Sequence, residues 1–552
     1  MKIALAQNNY HIGNFEANLR KMLKSIQQAK EEGADIVCFA ELASCGYPPR
    51  DFLEFDDFIA ESSRVIESLA DAARGIAVVV GAPSVNEDPL GKHLFNSAFF
   101  LHEGKVIQKV HKALLPTYDV FDEYRYFEPA KSFKVVKFQG KKIALTICED
   151  IWDVPVNGLE DEHFDPMYTV RPMDEMRDQQ PDFAINVSAS PFSFEQATTR
   201  VDVLRANGKR YGIPMFYVNH VGAQTELIFD GGSAVVDGKG RIYAEMPFFE
   251  EALRTFDLNE IQENPLDEER PKPKIELILN ALVLGVKDYF SKLGFSSAII
   301  GLSGGIDSAL TTVLAAEALG PKNVRVVLMP SRFSSEHSVD DSVKLAENLG
   351  VRYDIVPIHK PYNVFTGLLN PLFEKRPFDI AEENIQSRSR GLILMALSNK
   401  FGNILLNTTN KSEMAVGYGT LYGDLAGGLS VLGDVYKTEV YALSRYINRE
   451  KEVIPQNIIT KPPSAELRPN QKDTDSLPDY DILDRILYQY IELRKDPQDI
   501  IQMGFDRKIV KRVLRLVNIN EFKRHQTAPV LRVSTKAFGM GRRMPIVAKY
   551  LS

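Results

Sequence analysis

Between residues 259 and 275 the chain reads NEIQENPLDEERPKPKI, with three prolines, a dense run of charge and no apolar period. Proline supplies no amide donor, and the stretch has too little apolar surface to bury. It can neither continue a sheet nor form an amphipathic helix, and it reads as an interdomain linker. It divides a chain of 552 residues, and single hydrophobic cores stop growing at roughly 250 to 300 residues. Two domains are therefore expected, 1–258 and 276–552, each long enough to bury a core of its own.

Before the break, short β-rich runs alternate with helical stretches: KIALAQ, a helix near 15–33, DIVCFAE, IAVVVGAP, SAFFLH, KIALTICE, DFAINVSAS, PMFYVNHV and SAVVDGKGRIYAE. Many strands with few helices between them predict an α/β layered domain. After the break, a helix over 276–293 leads into SSAIIGLSGG, a helix from about 307, NVRVVLMP, a helix near 336–349, RYDIVPI, a helix near 380–401 and NILLNTTN. That alternation predicts a parallel, doubly wound sheet with ligands at the carboxyl ends of its strands. The Pro-, Asp- and Ser-rich stretch 460–480 reads as a loop over this second site, and the tail from about 479 as helix-rich and polar.

Composition excludes several classes. A formal charge of -8 argues against a surface built for polyanions, so no nucleic-acid partner is expected. The three cysteines, Cys38, Cys45 and Cys148, are too few and too scattered for a disulfide framework or a four-ligand zinc site, which fits a reducing compartment. The N-terminus reads as a first strand, with no signal peptide, and no run approaches about 18 uninterrupted apolar residues. A cytoplasmic enzyme that does not engage membranes is expected.

Two places carry chemistry. In the first half, Cys148 ends an apolar strand in KKIALTICEDIW, Glu41 ends DIVCFAE, and Lys112 follows a strand in KVIQKVHKALL. A thiol of ordinary pKa is only a few per cent thiolate at neutral pH and needs a nearby base or cation. Three strand ends meeting at one rim would supply a nucleophile, a base and a charge stabiliser. Taken singly, each has a blander reading: a packed small hydrophobe for the cysteine, solvated rim charges for the others.

In order and context, FAEL, HKALLPTYDVFDE and CEDIW resemble the Glu-Lys-Cys triad of the nitrilase (carbon-nitrogen hydrolase) superfamily, over nearly all of 1–258. The resemblance implies an α-β-β-α layered domain with Glu41 as general base, Lys112 supporting a tetrahedral oxyanion and Cys148 forming a thioester with the γ-acyl group of glutamine. It implies Glu123 as the second glutamate, positioning lysine and substrate, and Tyr118, Ser190 and residue 196 as glutamine contacts. Where relatives carry Lys, this chain has Gln196, which donates hydrogen bonds but brings no charge. Cys38 and Cys45 read as structural.

In the second half, SSAIIGLSGGIDSALTTVLAAEALG places a glycine-rich turn between an apolar strand and a helix, so that backbone N–H groups and the helix dipole face an anion. The loop lacks the lysine of GxxxxGK[ST], which disfavours γ-phosphoryl transfer and suits a pyrophosphate cradle. SGGIDS resembles the loop of the adenylating ATP pyrophosphatases. ENIQSRSRGLILMALSN, NILLNTTNKSEMAVGYGTLYGD and GLSVLGDVYKTEVYALSRYI resemble the NAD synthetases in order and spacing. The resemblance implies ATP contacts at Gly301, Leu302, Ser303, Gly304, Gly305, Ile306, Asp307, Ser308, Thr408, Lys437 and Ser464. It implies Mg²⁺ ligands at Asp307 and Glu413, and deamido-NAD contacts at Asn384, Glu413, Asp424 and Lys523. Carboxylate oxygens are the hard donors Mg²⁺ takes.

Together the two resemblances imply that ammonia released from L-glutamine is passed internally to a nicotinyl adenylate, giving NAD, AMP, pyrophosphate and glutamate. They also imply a homo-oligomer. Two rivals stand beside this reading: an adenylating amidotransferase acting on a different carboxylate, and a scaffold that kept the fold and lost the chemistry. Intact Glu41, Lys112, Cys148 and SGGIDS argue against the scaffold.

Overall fold

The structure, a computed structural model, describes residues 1–155, 166–261, 273–469 and 471–551. It divides into two compact units, Met1–Lys272 and Pro273–Ser552. Both ends of the stretch read as a linker belong to folded elements. Ile261 is buried in the core of the first unit, and the first helix of the second begins at Lys274. Residues 262–272, the remainder of that stretch, lie outside the described residues.

The first unit holds two six-stranded sheets. One runs, in spatial order, Ala252–Asp257, Lys2–Gln7, Ile36–Cys38, Ala77–Val85, Leu94–His102 and Lys105–His111. The other runs Ile242–Glu245, Ala234–Val236, Met215–Asn219, Phe183–Ser188, Lys141–Ile147 and Val136–Phe138. In each, three adjacent strands are parallel and the outer ones antiparallel. Side chains alternate between faces with period two, and the packing follows that alternation. Ile3 and Leu5 join Ile143, Leu145 and Phe216 of the other sheet in one core. Ala4 and Ala6 turn the other way, against Met22 and Ile26 of helix Phe15–Glu31 and Leu69 of helix Asp56–Ala72. Ala184 and Met215 on the second sheet face Val203 and Leu204 of helix Gln196–Tyr211. The result is an α-β-β-α stack, in which each buried Val, Leu or Ile contributes roughly 1.5–3 kcal/mol by leaving water.

The second unit carries a five-stranded sheet, entirely parallel, in the order Arg352–Ile355, Val324–Leu328, Ala298–Gly301, Ile404–Asn407 and Leu429–Ser430. The chain starts at the centre, winds outward through two strands, then crosses back to the other side. That reversal opens a crevice at the carboxyl ends of Ala298–Gly301 and Ile404–Asn407, the place where open α/β sheets bind ligands. The tail is less polar in its packing than in its composition. Helices Tyr480–Ile491 and Arg507–Ile519 bury Leu483, Leu487, Val513 and Leu514 against Met414 and Val416. Among the described residues no helix is long and apolar enough to cross a membrane.

Candidate active sites

Lys112 directly follows the strand Lys105–His111, and Cys148 directly follows Lys141–Ile147. Glu41 sits three residues beyond the end of Ile36–Cys38, in a turn rather than at the strand end that the sequence predicts. That turn lies against Gly81, where any Cβ would collide with the Leu42 backbone nitrogen. Cys148 adopts φ +42°, a left-handed conformation that costs a non-glycine residue about 1–2 kcal/mol. Such strain persists only where surrounding contacts fix it, and Asp150 provides them. Its Oδ2 accepts the Ile147 N–H at 3.0 Å, while its Oδ1 accepts the N–H groups of Ala113 at 3.0 Å and Leu114 at 2.9 Å. One buried carboxylate thereby joins the turn of Cys148 to the segment following Lys112.

The structure brings the four predicted residues of this centre together in a buried network. The Lys112 ammonium donates to Glu41 Oε1 at 2.7 Å and to both oxygens of Glu123, at 2.9 and 2.8 Å. Glu41 is further held by Asn96 Nδ2 at 2.7 Å and by the Ala189 N–H at 2.9 Å. Tyr47 donates its hydroxyl to Glu123 at 2.9 Å. Burial works against the charge on Lys112, yet Glu123 and Glu41 outweigh it and raise its pKa well above the ordinary value. Burial pushes Glu123 up to about 7 against the pull of Lys112. Cys148 is raised well above an ordinary thiol by burial and by the Glu41 carboxylate, with Lys112 opposing. Cys148 so raised rests as a thiol, and acting as a nucleophile would require a base to take its proton.

Of the predicted glutamine contacts, Tyr118 reaches this centre through Glu149. Its hydroxyl donates to Glu149 at 2.9 Å, and Tyr168 donates to the same carboxylate at 3.0 Å. Ser190 is buried beside Ala189, with its N–H on Asn219 Oδ1 at 2.9 Å. Gln196 opens the helix Gln196–Tyr211 with its N–H on Ser193 Oγ at 3.1 Å, and no hydrogen bond among the described residues joins it to the network. The sequence reading passed over Asn96, Glu149 and Asp150. Glu149 and Asp150 follow Cys148 in CEDIW, so adjacency to Cys148 is the available signal. Nothing local marks Asn96.

In the second unit a cavity of about 280 Å³ opens at the strand ends. It is lined by Gly301, Leu302, Ser303, Gly305, Ile306, Asp307 and Ser308, and also by Thr408, Glu413, Asp424, Lys437 and Ser464. No side chain caps the helix Ile306–Leu319, so its first turn points backbone donors out of the glycine loop. Gly304 turns the loop at φ +82°, where a Cβ would stand 2.5 Å from the Ser338 carbonyl oxygen. The loop 461–467 and Asp473 also line the cavity, as the reading of 460–480 expected.

Lys437 Nζ donates to Asp307 Oδ2 at 2.5 Å and to Glu413 Oε1 at 3.3 Å. Burial pushes Glu413 up to about 8; Lys437 opposes this while Asp307 and Asp473 add to it. Three carboxylates thus face one ammonium. Among the described residues no group of three or more acidic, histidine or cysteine side chains is placed to hold a metal ion by itself, while the carboxyl oxygens of Asp307 and Glu413 are the hard donors that a divalent cation also bound by phosphates and water takes. Asp424 accepts the Thr420 N–H at 2.6 Å and the Ser387 hydroxyl at 3.0 Å. Asn384 accepts the Thr420 hydroxyl at 2.9 Å, and Lys523 donates to the carbonyls of Gly417 and Gly419 at 2.8 and 3.0 Å. These three residues gather on the 417–424 loop, but only Asp424 lines the cavity.

Family models match both halves: carbon-nitrogen hydrolase over residues 2–265 and NAD synthase over residues 278–527. Fold and sites thus define a two-domain enzyme, a carbon-nitrogen hydrolase joined to an NAD synthase. The glutamine-dependent NAD(+) synthetase of Synechocystis sp. is 46% identical, covering 99% of each chain, and that of Acinetobacter baylyi is 42% identical, covering 99% of this chain and 98% of its own. The structure of the Acinetobacter baumannii glutamine-dependent NAD+ synthetase in complex with ADP is 39% identical, with a TM-score of 0.78, and covers 99% of this chain and 98% of that one. The chain belongs to the glutamine-dependent NAD(+) synthetase family.

Proposed function

We propose that this chain amidates deamido-NAD to NAD at the expense of ATP, with ammonia that its first unit releases from glutamine. The observation that carries the reading is the buried Glu41-Lys112-Glu123 network beside Cys148, on a chain that also carries the glycine loop and its cavity. In the first unit, Cys148 Sγ attacks the amide carbon of glutamine while Glu41 takes the thiol proton. Lys112 faces the oxyanion, and Glu123 and Asn96 hold Lys112 and Glu41 in register. Glu41 returns the proton to the leaving ammonia, and water, deprotonated by Glu41, then releases glutamate from the thioester. Tyr118, Ser190 and Gln196 contact glutamine. Glu149, a buried carboxylate one residue from the nucleophile, accepts its α-ammonium group.

In the second unit the dinucleotide carboxylate attacks the α-phosphorus of ATP and pyrophosphate leaves. Ammonia then displaces AMP from the acyl adenylate. The loop from Gly301 to Ser308, with Thr408, Lys437 and Ser464, holds the triphosphate; the A. baumannii relative was solved in complex with ADP. Asn384, Glu413, Asp424 and Lys523 hold the dinucleotide. Asp307 and Glu413 are the residues that would hold Mg²⁺, which supplies neutralising charge to the phosphates. Ammonia in neutral water is mostly protonated and non-nucleophilic, so delivery within the protein is favoured over release. Cys148→Ala should make no NAD from glutamine and still make it from added ammonium; undiminished synthesis from glutamine would refute the assignment.

A further inference from the structure

The cavity of the second unit is lined by a cation with which no carboxylate among the described residues forms an ion pair. Arg390, on the helix Ile380–Phe401, lines it together with Gly301, Ser303 and Asp307. Its Nε donates to the Met329 carbonyl at 3.0 Å. No carboxylate among the described residues stands within ion-pair distance; Asp424 and Glu466, which feel its charge, lie farther off. Two buried guanidinium groups elsewhere have close carboxylate partners, Arg200 with Asp230 and Arg524 with Glu521, each at 2.6 Å. Lys437, in the same cavity, has two carboxylates.

The side chain is also anchored. Gly391, the next residue, allows the helix to lie against the Tyr422 carbonyl, where a Cβ would stand 2.9 Å away. With the Met329 bond, this anchors Arg390 at the wall of the cavity it lines, and among the described residues the terminal NH₂ groups of its guanidinium make no ion pair. That group has five N–H donors in a plane suited to two oxygens of one anion. Burial lowers its pKa to about 10, so it is still charged at neutral pH and is held there at a cost to the fold. A second cation, Lys461, lines the same cavity; it donates to the Ser338 hydroxyl at 3.0 Å, and among the described residues it forms no ion pair.

We propose that Arg390 is a phosphate-binding residue: its guanidinium takes a phosphoryl anion of a nucleotide seated in the cavity, with Lys461 as a second cation beside it. The proposal rests on the reading above that this cavity binds ATP and the deamido dinucleotide. Both carry phosphoryl groups, so the shared chemistry is assigned and the experiment separates the two sources.

Arg390→Met and Arg390→Lys are made in the full chain. Binding of a non-hydrolysable ATP analogue, and separately of deamido-NAD, is followed by titration calorimetry, and the melting temperature is measured without ligand. Loss of a charge-assisted, bidentate contact should weaken one of the two ligands by about 10- to 100-fold in Arg390→Met and leave the other within about twofold. Arg390→Lys should recover part of the loss. The ligand-free melting temperature of Arg390→Met should stay level or rise, because an uncompensated charge has been removed; a merely structural arginine would lower it. Wild-type affinity for both ligands in Arg390→Met, or a fall in melting temperature without recovery of binding in Arg390→Lys, overturns the Arg390 assignment alone. Failure of the wild type to bind either ligand overturns the reading of the cavity and Arg390 with it.

Discussion

Replacing Asp150 by Asn separates the stability of the first unit from the alignment of its catalytic groups. Burial holds the Asp150 carboxyl at about 6, against an ordinary value of 3.8. A proton bound more tightly in the fold means that ionisation is penalised there. The penalty is absent below pH 3.8 and complete above pH 6, where it reaches about 3 kcal/mol. Asparagine removes that penalty and keeps a carbonyl oxygen for the N–H groups of Ala113 and Leu114. It loses the bond to the Ile147 N–H and leaves that donor buried, which costs about 1–3 kcal/mol. The two effects nearly cancel, so at pH 8 the melting temperature should move by less than about 4 °C. Activity should not be spared. With its tie to Asp150 gone, the turn carrying Cys148 at φ +42° can relax, and a displacement of about 1 Å is worth roughly 100-fold in rate. Glutamine-driven NAD synthesis should fall about 10- to 100-fold while ammonium-driven synthesis holds. Retention of the glutamine-driven rate within about twofold, or an equal fall in both, would refute the reasoning.

Three further outcomes follow from the same contacts. With Glu123 held near 7, acidification below that value protonates it and removes a partner of Lys112; the glutamine-driven rate should drop on the acid side with an apparent pKa near 7, and Glu123→Gln should flatten that limb of the pH profile. Gly304→Ala puts a side chain at φ +82° against the Ser338 backbone; beyond about 1–2 kcal/mol of strain, the clash should abolish the ATP thermal shift while glutamine hydrolysis by the first unit persists. Gln196→Lys supplies the charge that the family resemblance implies at this position and should lower KM for glutamine by about two- to fivefold, with KM for ammonium as control; an unchanged glutamine KM would mean that residue 196 does not meet the substrate carboxylate.

The sheets and the position of Cys148 at a strand end were legible because their signals are local. Apolar β-branched runs mark Lys141–Ile147 and Ala298–Gly301, and Cys148 and the glycine loop come directly after them. The helices Lys274–Leu293, Glu336–Leu349 and Ile380–Phe401 each end on a left-handed glycine, so their C-termini could be read to the residue. Distant pairings left no such mark. The strand Ala252–Asp257 closes the first sheet against Lys2–Gln7, and Asn96 joins Glu41 to Glu123 across three separate segments. Nothing local marks Arg390 either; that no carboxylate among the described residues stands within ion-pair distance of it is visible only in the structure. The 417–424 loop collects Asn384, Asp424 and Lys523 by hydrogen bonds to its own backbone and to Thr420, a convergence that matched motifs imply but spacing does not reveal.

The central claim is that the amide nitrogen of glutamine, freed at Cys148, becomes the carboxamide nitrogen of NAD made by the same chain. Supplying glutamine labelled with ¹⁵N at the amide, together with excess unlabelled ammonium, and measuring the label in NAD against glutamate formed tests it directly. The account predicts labelled NAD in near one-to-one ratio with glutamate, with the label lost in Cys148→Ala. NAD carrying only the nitrogen of the unlabelled pool, while glutamate accumulates, would contradict it.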